Sequence, residues 1–573
     1  MAQLAVSPEA LDQEKLRTAA EKAAERFKVP GVQVAIIRGT EVLFTGGFGN
    51  RDVEQSLPIT EHTLFAHGST GKSYTALLVG TLVDDGLLTW DTKVRDIVPD
   101  FRLTDPVVTA QVSVRDILSH RWGFPRHEFA HLAAPGADRA EMVRRLRDLP
   151  LSRELRETFQ YSNFGYLLAG HIVGLLTNST WEEQLRKRVL EPLGMTDTVI
   201  GTAGLLEIED RALPYDEKDG QFLRLSYREM ANMNPAGGLL SSAADAARYL
   251  LCQLNGGEVD GTRVISESSL KETHTLQMTL GSFPLPEGLP ARPFGYSLGW
   301  MIGSYRGRHI VSHGGGIDGF TTEFALLPDD GIAVAVCGNR ASGLPNALTY
   351  QIVDQLLGTE DRDWSESLSE QMEKMRAQMH EAMAPKKVVD DKPAAHELSE
   401  YAGRFEHPGY GPLEVKVDGD ELQVSLGVIQ FRPAHRHFDV WDLVFPDLGE
   451  IKFTLAFETD GSGDLAAATV NFDETLPDPI RFKRGADESA LNEDVLNGLA
   501  GKYSIGPITL EVKVEAGPKL VAYQNGQRVD LVPAGKLKFT VPVMPGMTLQ
   551  FVVDENGRGT EITTPQGSLL RVE

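Results

Sequence analysis

The chain has 573 residues, room for roughly three or four domains at about 150 residues each. Its 81 acidic residues outnumber 56 basic ones, and the net charge of −25 argues against nucleic acid or anionic membrane as partners, because both select a basic surface. With 41% hydrophobic and 24% charged residues the composition is that of a folded globular protein, and 2 cysteines, Cys252 and Cys337, are too few and too far apart for a disulfide framework or a metal-type pair.

In chain order, residues 1–27 alternate charged pairs with alanines and predict an amphipathic surface helix, without the apolar core or cleavage site of a signal peptide. No run approaches the ~18 apolar residues of a membrane span, so a cytoplasmic protein is expected. Residues 32–37 and 41–44 predict a hairpin around Gly39-Thr40. Residues 73–88 are apolar almost all round, the pattern of a buried helix. Residues 332–337, bounded by Asp330-Gly331 and Gly338-Asn339, predict a core strand. Strands at both ends with helices between predict an α+β domain over 1–361 in which a strand meander closes the sheet. Residues 362–397 predict a helical connector, charged and Met-rich over 365–383, ending in a linker marked by Pro385 and Pro393.

An internal repeat follows. Tyr401-Ala402-Gly403-Arg404-Phe405 returns as Leu499-Ala500-Gly501-Lys502-Tyr503, and the pentapeptide from Leu413 to Val417 returns unchanged from Leu510 to Val514. Short alternating strands with turns at Asp460-Gly461 and Asn556-Gly557 predict two small antiparallel β-barrel domains, 398–486 and 487–573.

The chemistry concentrates at Ser69-Thr70-Gly71-Lys72, leading into the buried helix. The spacing places Ser69 at the helix start with Lys72 one turn on, on one face and about 5–6 Å apart between Cβ atoms. A partly desolvated lysine there can lose its proton and activate the serine, and the free N–H groups of the helix start suit an oxyanion. A second match, Ser268 to Lys271, lacks the apolar helix around it. Downstream, Tyr161-Ser162-Asn163 lies on a loop entering a helix. The tyrosine can serve as a phenolate base, and the asparagine amide can hold a substrate amide. His313-Gly314-Gly315-Gly316 ends a strand, where glycines let a substrate approach the backbone. The short matches at Tyr523-Gln524-Asn525 and His407-Pro408-Gly409 fall in the repeat region, on expected barrel turns.

Together these three motifs resemble those of the serine β-lactamase and penicillin-binding-protein superfamily. The resemblance is greatest to the branch holding class C β-lactamases, D-alanyl-D-alanine carboxypeptidases, D-aminopeptidases and related esterases. Segments 113–120, 191–195 and 236–241 resemble that branch as well, so that residues 10–357 are covered, and the two barrels resemble the three-domain layout of bacterial D-aminopeptidases. The resemblance implies a β-lactamase/DD-peptidase-like catalytic domain, with an antiparallel sheet and a helical subdomain. It implies Ser69 as acylated nucleophile, Lys72 as its proton partner, Tyr161 as proton shuttle and His313 completing the catalytic set. Asn163, Gly315 and Gly316 bind substrate, with the oxyanion held by the N–H groups of Ser69 and Gly316. No metal and no cofactor enter.

Two departures narrow the expectation. His313 and Gly314 stand where that superfamily usually has Lys and Thr, which weakens the grip on a substrate carboxylate and with it penicillinase or carboxypeptidase activity. Segment 121–125 also departs; its Trp122 is expected to pack, and residues 126–128 either line the acyl pocket or form a solvated loop. The expected function is a serine hydrolase of small peptide, amide or ester substrates, either a D-aminopeptidase-like amidase or peptidase, or a carboxylesterase. An acyltransferase or peptide cyclase on the same acyl-enzyme, or a weak β-lactamase, is the alternative. A ligand-sensing scaffold is the non-enzymatic one. The barrels either stabilise a homodimer or gate the site through residues 435–437 or 543–547.

Overall fold

Alternation over the first hairpin puts Val32, Val34 and Ile36 on one side of a strand and Gln33, Ala35 and Ile37 on the other, all buried. The strand is therefore central. In the computed structural model, which describes residues 11–281, 291–359, 362–383, 392–445, 451–461, 463–485, 493–515, 519–535, 537–544 and 547–573, it is β1 (Gly31–Arg38). β1 turns through Gly39, φ 61°, into β2 (Glu41–Asp52) and is followed by β3 (Leu57–Pro58). Later come β4 (Met278–Thr279), β5 (Ala291–Tyr296), β6 (Met301–Tyr305), β7 (Arg308–Ile317), β8 (Phe320–Leu327) and β9 (Ile332–Gly338). The nine strands form one sheet in the order β4-β5-β6-β7-β8-β9-β1-β2-β3, and every pairing in it is antiparallel. The expected hairpin, core strand and closing meander are all present. β9, between β8 and β1, is buried along its whole length.

Helices cover both faces. α1 (Gln13–Phe27) is capped by the Asp12 carboxylate, which accepts the N–H groups of Glu14 and Lys15. Its Leu16, Ala20, Ala23 and Phe27 are buried with Val34, Ile36, Val334 and Val336 of the sheet. α2 (Gly71–Asp84) is buried on every side from Gly71 to Leu82, and α3 (Asn163–Thr177) is buried over most of its length. α2 stops four residues short of the expected end, where Asp85, Gly86 and Leu87 reach solvent.

α4 (Leu344–Leu357) and α5 (Trp364–Met383) share the core with α1. The segment read as a connector thus begins inside the catalytic unit. Trp364 is 1% exposed and donates from Nε1 to Asp354, which also takes Tyr305 and Arg306. Pro385 lies outside the described residues. The chain packs as two compact units, residues 1–386 with 475–477, and residues 387–474 with 478–573.

In the second unit the strands from Gly403–His407 to Ile480–Arg484 close an eight-stranded barrel. The second copy repeats the register: Gly403 pairs Val415 as Gly501 pairs Val512. In the first copy the strand Ile429–His437 passes from one neighbour to the next at Phe431/Arg432. In the second this strand is broken at Leu531 into Gln527–Asp530 and Val532–Gly535, and a nine-stranded, nearly closed sheet results. An arginine holds each seam. Arg484 donates to the carbonyls of Glu400 and Ala402, and Arg571 to those of Gly498 and Ala500. Residues 435–437, expected as a loop, instead end the strand Ile429–His437, where His435 Nε2 meets the Phe438 carbonyl at 2.9 Å. In segment 543–547, Pro545 and Gly546 lie outside the described residues.

One buried acid in the sheet makes stability depend on pH. Glu323 pairs with Gly314 across β7 and β8 and is 9% exposed; burial pushes its carboxyl up to about 7, with Asn346 and Ser312 pulling the other way. The folded state therefore holds this proton where the unfolded chain, with an ordinary value near 4.5, has lost it. The stabilisation is complete below pH 4.5 and is lost as pH rises through about 7. Glu323→Gln should match the parent's Tm at pH 4.5 and exceed it by a few degrees at pH 8, on the order of 1–3 kcal/mol. Thermal melts at both pH values check it.

Candidate active site

Glycines bring the two halves of the site together. Ser69 sits in a short 3-10 turn, Gly68–Thr70, that runs directly into α2, and Gly68 has φ 54°. β7 lies against this turn so closely that a Cβ on Gly315 would stand 2.0 Å from the His67 carbonyl oxygen. A side chain at 315 would force β7 away from the serine. The backbone of Gly316 also lies close against Gly68.

Lys72 is 0% exposed, and its Nζ donates to Ser69 Oγ at 3.1 Å and to the Ala236 carbonyl at 2.8 Å. Both partners are neutral. Burial holds the ammonium well below the ordinary lysine range; the Glu128 carboxylate opposes this and the Arg126 guanidinium reinforces it. Nζ also lies 4.8 Å from the centre of the Tyr161 ring.

Tyr161 is shifted the other way. Burial pushes its phenol above the ordinary value, and the Ser69 hydroxyl and Arg126 offset this only in part. Burial thus favours the neutral form of the lysine and the protonated form of the tyrosine. The two side chains flank Ser69.

Asn163, at the first turn of α3, donates from Nδ2 to Glu128 Oε1 at 3.3 Å, and its buried Oδ1 has no hydrogen-bond partner among the described residues. His313 is on β7, 3% exposed, with Nε2 at 2.9 Å from the Tyr296 hydroxyl and Nδ1 at 2.6 Å from the Gly314 carbonyl. Burial, the nearby Lys72 ammonium adding to it, pulls the imidazole down to about 3 and keeps it neutral.

The structure thus brings Ser69, Lys72, Tyr161, Asn163, His313, Gly315 and Gly316 to one place. The weaker matches stay apart: Ser268 is exposed on Glu267–Thr273, Tyr523 bonds Glu515 in the second copy, and His407 closes a turn. Trp122 is fully buried and stacks on Phe124, the packing role expected of it. Of residues 126–128, Arg126 lies over the Tyr161 ring at 5.4 Å and pairs with Glu128, so this segment lines the site. The Ala236 carbonyl, Tyr296 and His120 belong to the site without standing in any of the three motifs. Ala236 and His120 stand inside segments singled out as supporting, which was the only signal for them.

A serine at the start of a buried helix, with a buried lysine one turn on and a tyrosine across both, is the arrangement of a serine hydrolase on the β-lactamase and penicillin-binding-protein fold. Residues 16–357 match the Beta-lactamase family and residues 387–484 match a domain of unknown function, DUF3471. The chain belongs to the Beta-lactamase family. It is 30% identical over 431 residues to unguisins hydrolase ungD of Aspergillus violaceofuscus, covering 69% of this chain and 75% of that protein. To penicillin-binding protein 4 of Amycolatopsis lactamdurans it is 26% identical, over 67% of this chain and 95% of that one. Among solved structures, the octameric penicillin-binding protein homologue from Pyrococcus abyssi superposes with TM-score 0.56 at 25% identity, over 82% of this chain and 100% of that one. The D-amino acid amidase from Ochrobactrum anthropi SV3 superposes with TM-score 0.51 at 25% identity, over 60% and 97%.

The charges around Lys72 give a signed pH prediction. If neutral Lys72 is the working base, activity rises with pH to a plateau as the ammonium loses its proton. Glu128 favours the ammonium, so Glu128→Gln lowers the lysine's value and moves the rising limb to lower pH. Initial rates between pH 5 and 10 for parent and variant check the direction.

Proposed function

We propose that the chain hydrolyses amide or ester bonds through an acyl-enzyme on Ser69, as a D-aminopeptidase-like amidase or peptidase, or a carboxylesterase. The observation that carries this reading is the buried Lys72 amine, 3.1 Å from Ser69 Oγ with only neutral groups on Nζ. In the first step neutral Lys72 takes the Oγ proton as Oγ attacks the substrate carbonyl carbon, and the N–H groups of Ser69 and Gly316 receive the oxyanion. Tyr161, keeping its proton, passes it to the leaving nitrogen or oxygen as that bond breaks, which leaves the acyl group on Oγ. Water attacks the ester in the second half, giving a proton to Tyr161 and displacing Oγ, which recovers its own from Lys72.

Two features narrow the substrate. The unpartnered Asn163 Oδ1 is an acceptor suited to a substrate amide N–H. His313 is neutral and spent on Tyr296, so the third motif carries no cation for a terminal carboxylate. Both favour blocked or internal amides and esters over free C-terminal acids. The names of the relatives, a hydrolase of unguisins and an amidase of D-amino acids, support water as the acyl acceptor.

Ser69→Ala should abolish turnover of p-nitroanilide and p-nitrophenyl ester substrates and remove the acyl adduct seen by intact mass. Lys72→Ala and Tyr161→Phe should each lose about 10²-fold or more in kcat, while Ser268→Ala and Tyr523→Phe are silent. Peptide amides should outpace the matching free acids. Turnover surviving in Ser69→Ala would sink the reading.

A further inference from the structure

His120 is a buried polar side chain on the wall of the site to which neither the motifs nor the reaction assigns a task. It is 0% exposed and follows the short helix Val114–Leu118 with φ 56°, a left-handed conformation that is uncommon outside glycine and asparagine. From there it reaches both neighbours of Tyr161. Its carbonyl accepts the Gln160 N–H at 2.8 Å, and its Nδ1 accepts the Ser162 N–H at 3.1 Å. Its ring lies 4.4 Å from the Tyr161 ring, tilted by 35°.

Acceptance at Nδ1 places the imidazole proton on Nε2, which is buried with no hydrogen-bond partner among the described residues. Phe159, Tyr166 and Tyr296 close the remaining sides, with ring centres at 5.6, 5.4 and 4.8 Å. The cationic and titratable groups facing it are Lys72 on α2, His313 on β7, Arg126 on the loop, Tyr161, Tyr166 on α3 and Tyr296 on β5; burial and the first three keep it neutral. A residue needed only to end the helix would be glycine or asparagine, which adopt this backbone with less strain.

We propose that His120 is the positioning residue for Tyr161: its carbonyl and Nδ1 fix the backbone on both sides of the tyrosine, and its ring sets the plane in which the phenol meets Ser69 and Lys72. The proposal rests on the acyl-enzyme reading above for its consequence, and on the contacts alone for its geometry.

His120→Asn is the informative variant, because asparagine tolerates the left-handed backbone and offers Oδ1 to the Ser162 N–H, and only the ring is lost. His120→Gln serves as a second variant. In the full chain, labelling of Ser69 by a fluorophosphonate should slow about 10–100-fold in its maximal rate, with half-saturation unchanged and Tm within a few degrees of the parent. The rising limb of labelling should move to higher pH, because the vacated space readmits solvent to Lys72 and raises its value. In tyrosine labelled with 13C at Cζ, the Tyr161 resonance, assigned with Tyr161→Phe, should shift. Parent labelling rate, pH limb and Tyr161 resonance in both variants would overturn the proposal. A parent chain that fails to label at Ser69 would overturn the acyl-enzyme reading, and the Tyr161 resonance would still decide for or against His120.

Discussion

A lysine ammonium withdrawn from solvent into neutral surroundings is unstable there, and the easiest relief is loss of its proton. Much of the catalytic unit serves to create that condition at Lys72. α2 has to be buried all round, which requires helices packed on its flanks. Ala236 must offer a carbonyl rather than a carboxylate, since an anion at 2.8 Å would keep the proton in place. The glycines at 68 and 315 let β7 close over the serine, completing the enclosure that a side chain would prop open.

The same burial shifts Lys72 and Tyr161 in opposite directions. Desolvation disfavours whichever form is charged, so it lowers an amine and raises a phenol. Two groups of nearly equal ordinary basicity are pushed apart, one toward accepting a proton and the other toward keeping it. Arg126 and Glu128 sit where they bias this separation without touching Nζ, which makes the segment ahead of the site a tuner as well as a wall. His313 fits the same logic: with Tyr296 on one nitrogen and Gly314 on the other, it adds an uncharged edge to the site where a lysine would have added a second cation beside Lys72.

Much of this was legible in the sequence because it is written in local pattern. The hairpin around Gly39 follows from alternation, α2 from its unbroken apolar surface, and the repeat from identity between Leu413–Val417 and Leu510–Val514, which the matching register makes structural. The three motifs resemble a known set and meet in space. What stayed hidden depends on long-range burial. Nothing near Tyr161 in sequence says that its phenol is desolvated, and nothing near Trp364 says that a charged, Met-rich helix turns one tryptophan into the core against Asp354. Residues 435–437 were expected as a loop; their strand instead continues to the last histidine, and the turn comes at Phe438, with φ 46°.

The two copies in the second unit show which contacts an antiparallel barrel of this type must keep. Most side chains differ between them, yet each retains an arginine at the end of the last strand, bonded to the carbonyls that lead into the first, with its guanidinium over Phe405 or Tyr503. That is the seam where first and last strands meet, and a fixed, planar donor satisfies carbonyls that no neighbouring strand reaches. Opposite the seam the copies diverge. The strand that passes continuously from one neighbour to the next in the first copy is interrupted at Leu531 in the second, and Lys538, just beyond the break, reaches Asp460 and Asp464 of the first copy at 3.0 and 3.1 Å. The arginine seam is kept in both copies, while a side chain that joins them, Lys538, comes from the divergent side of the second.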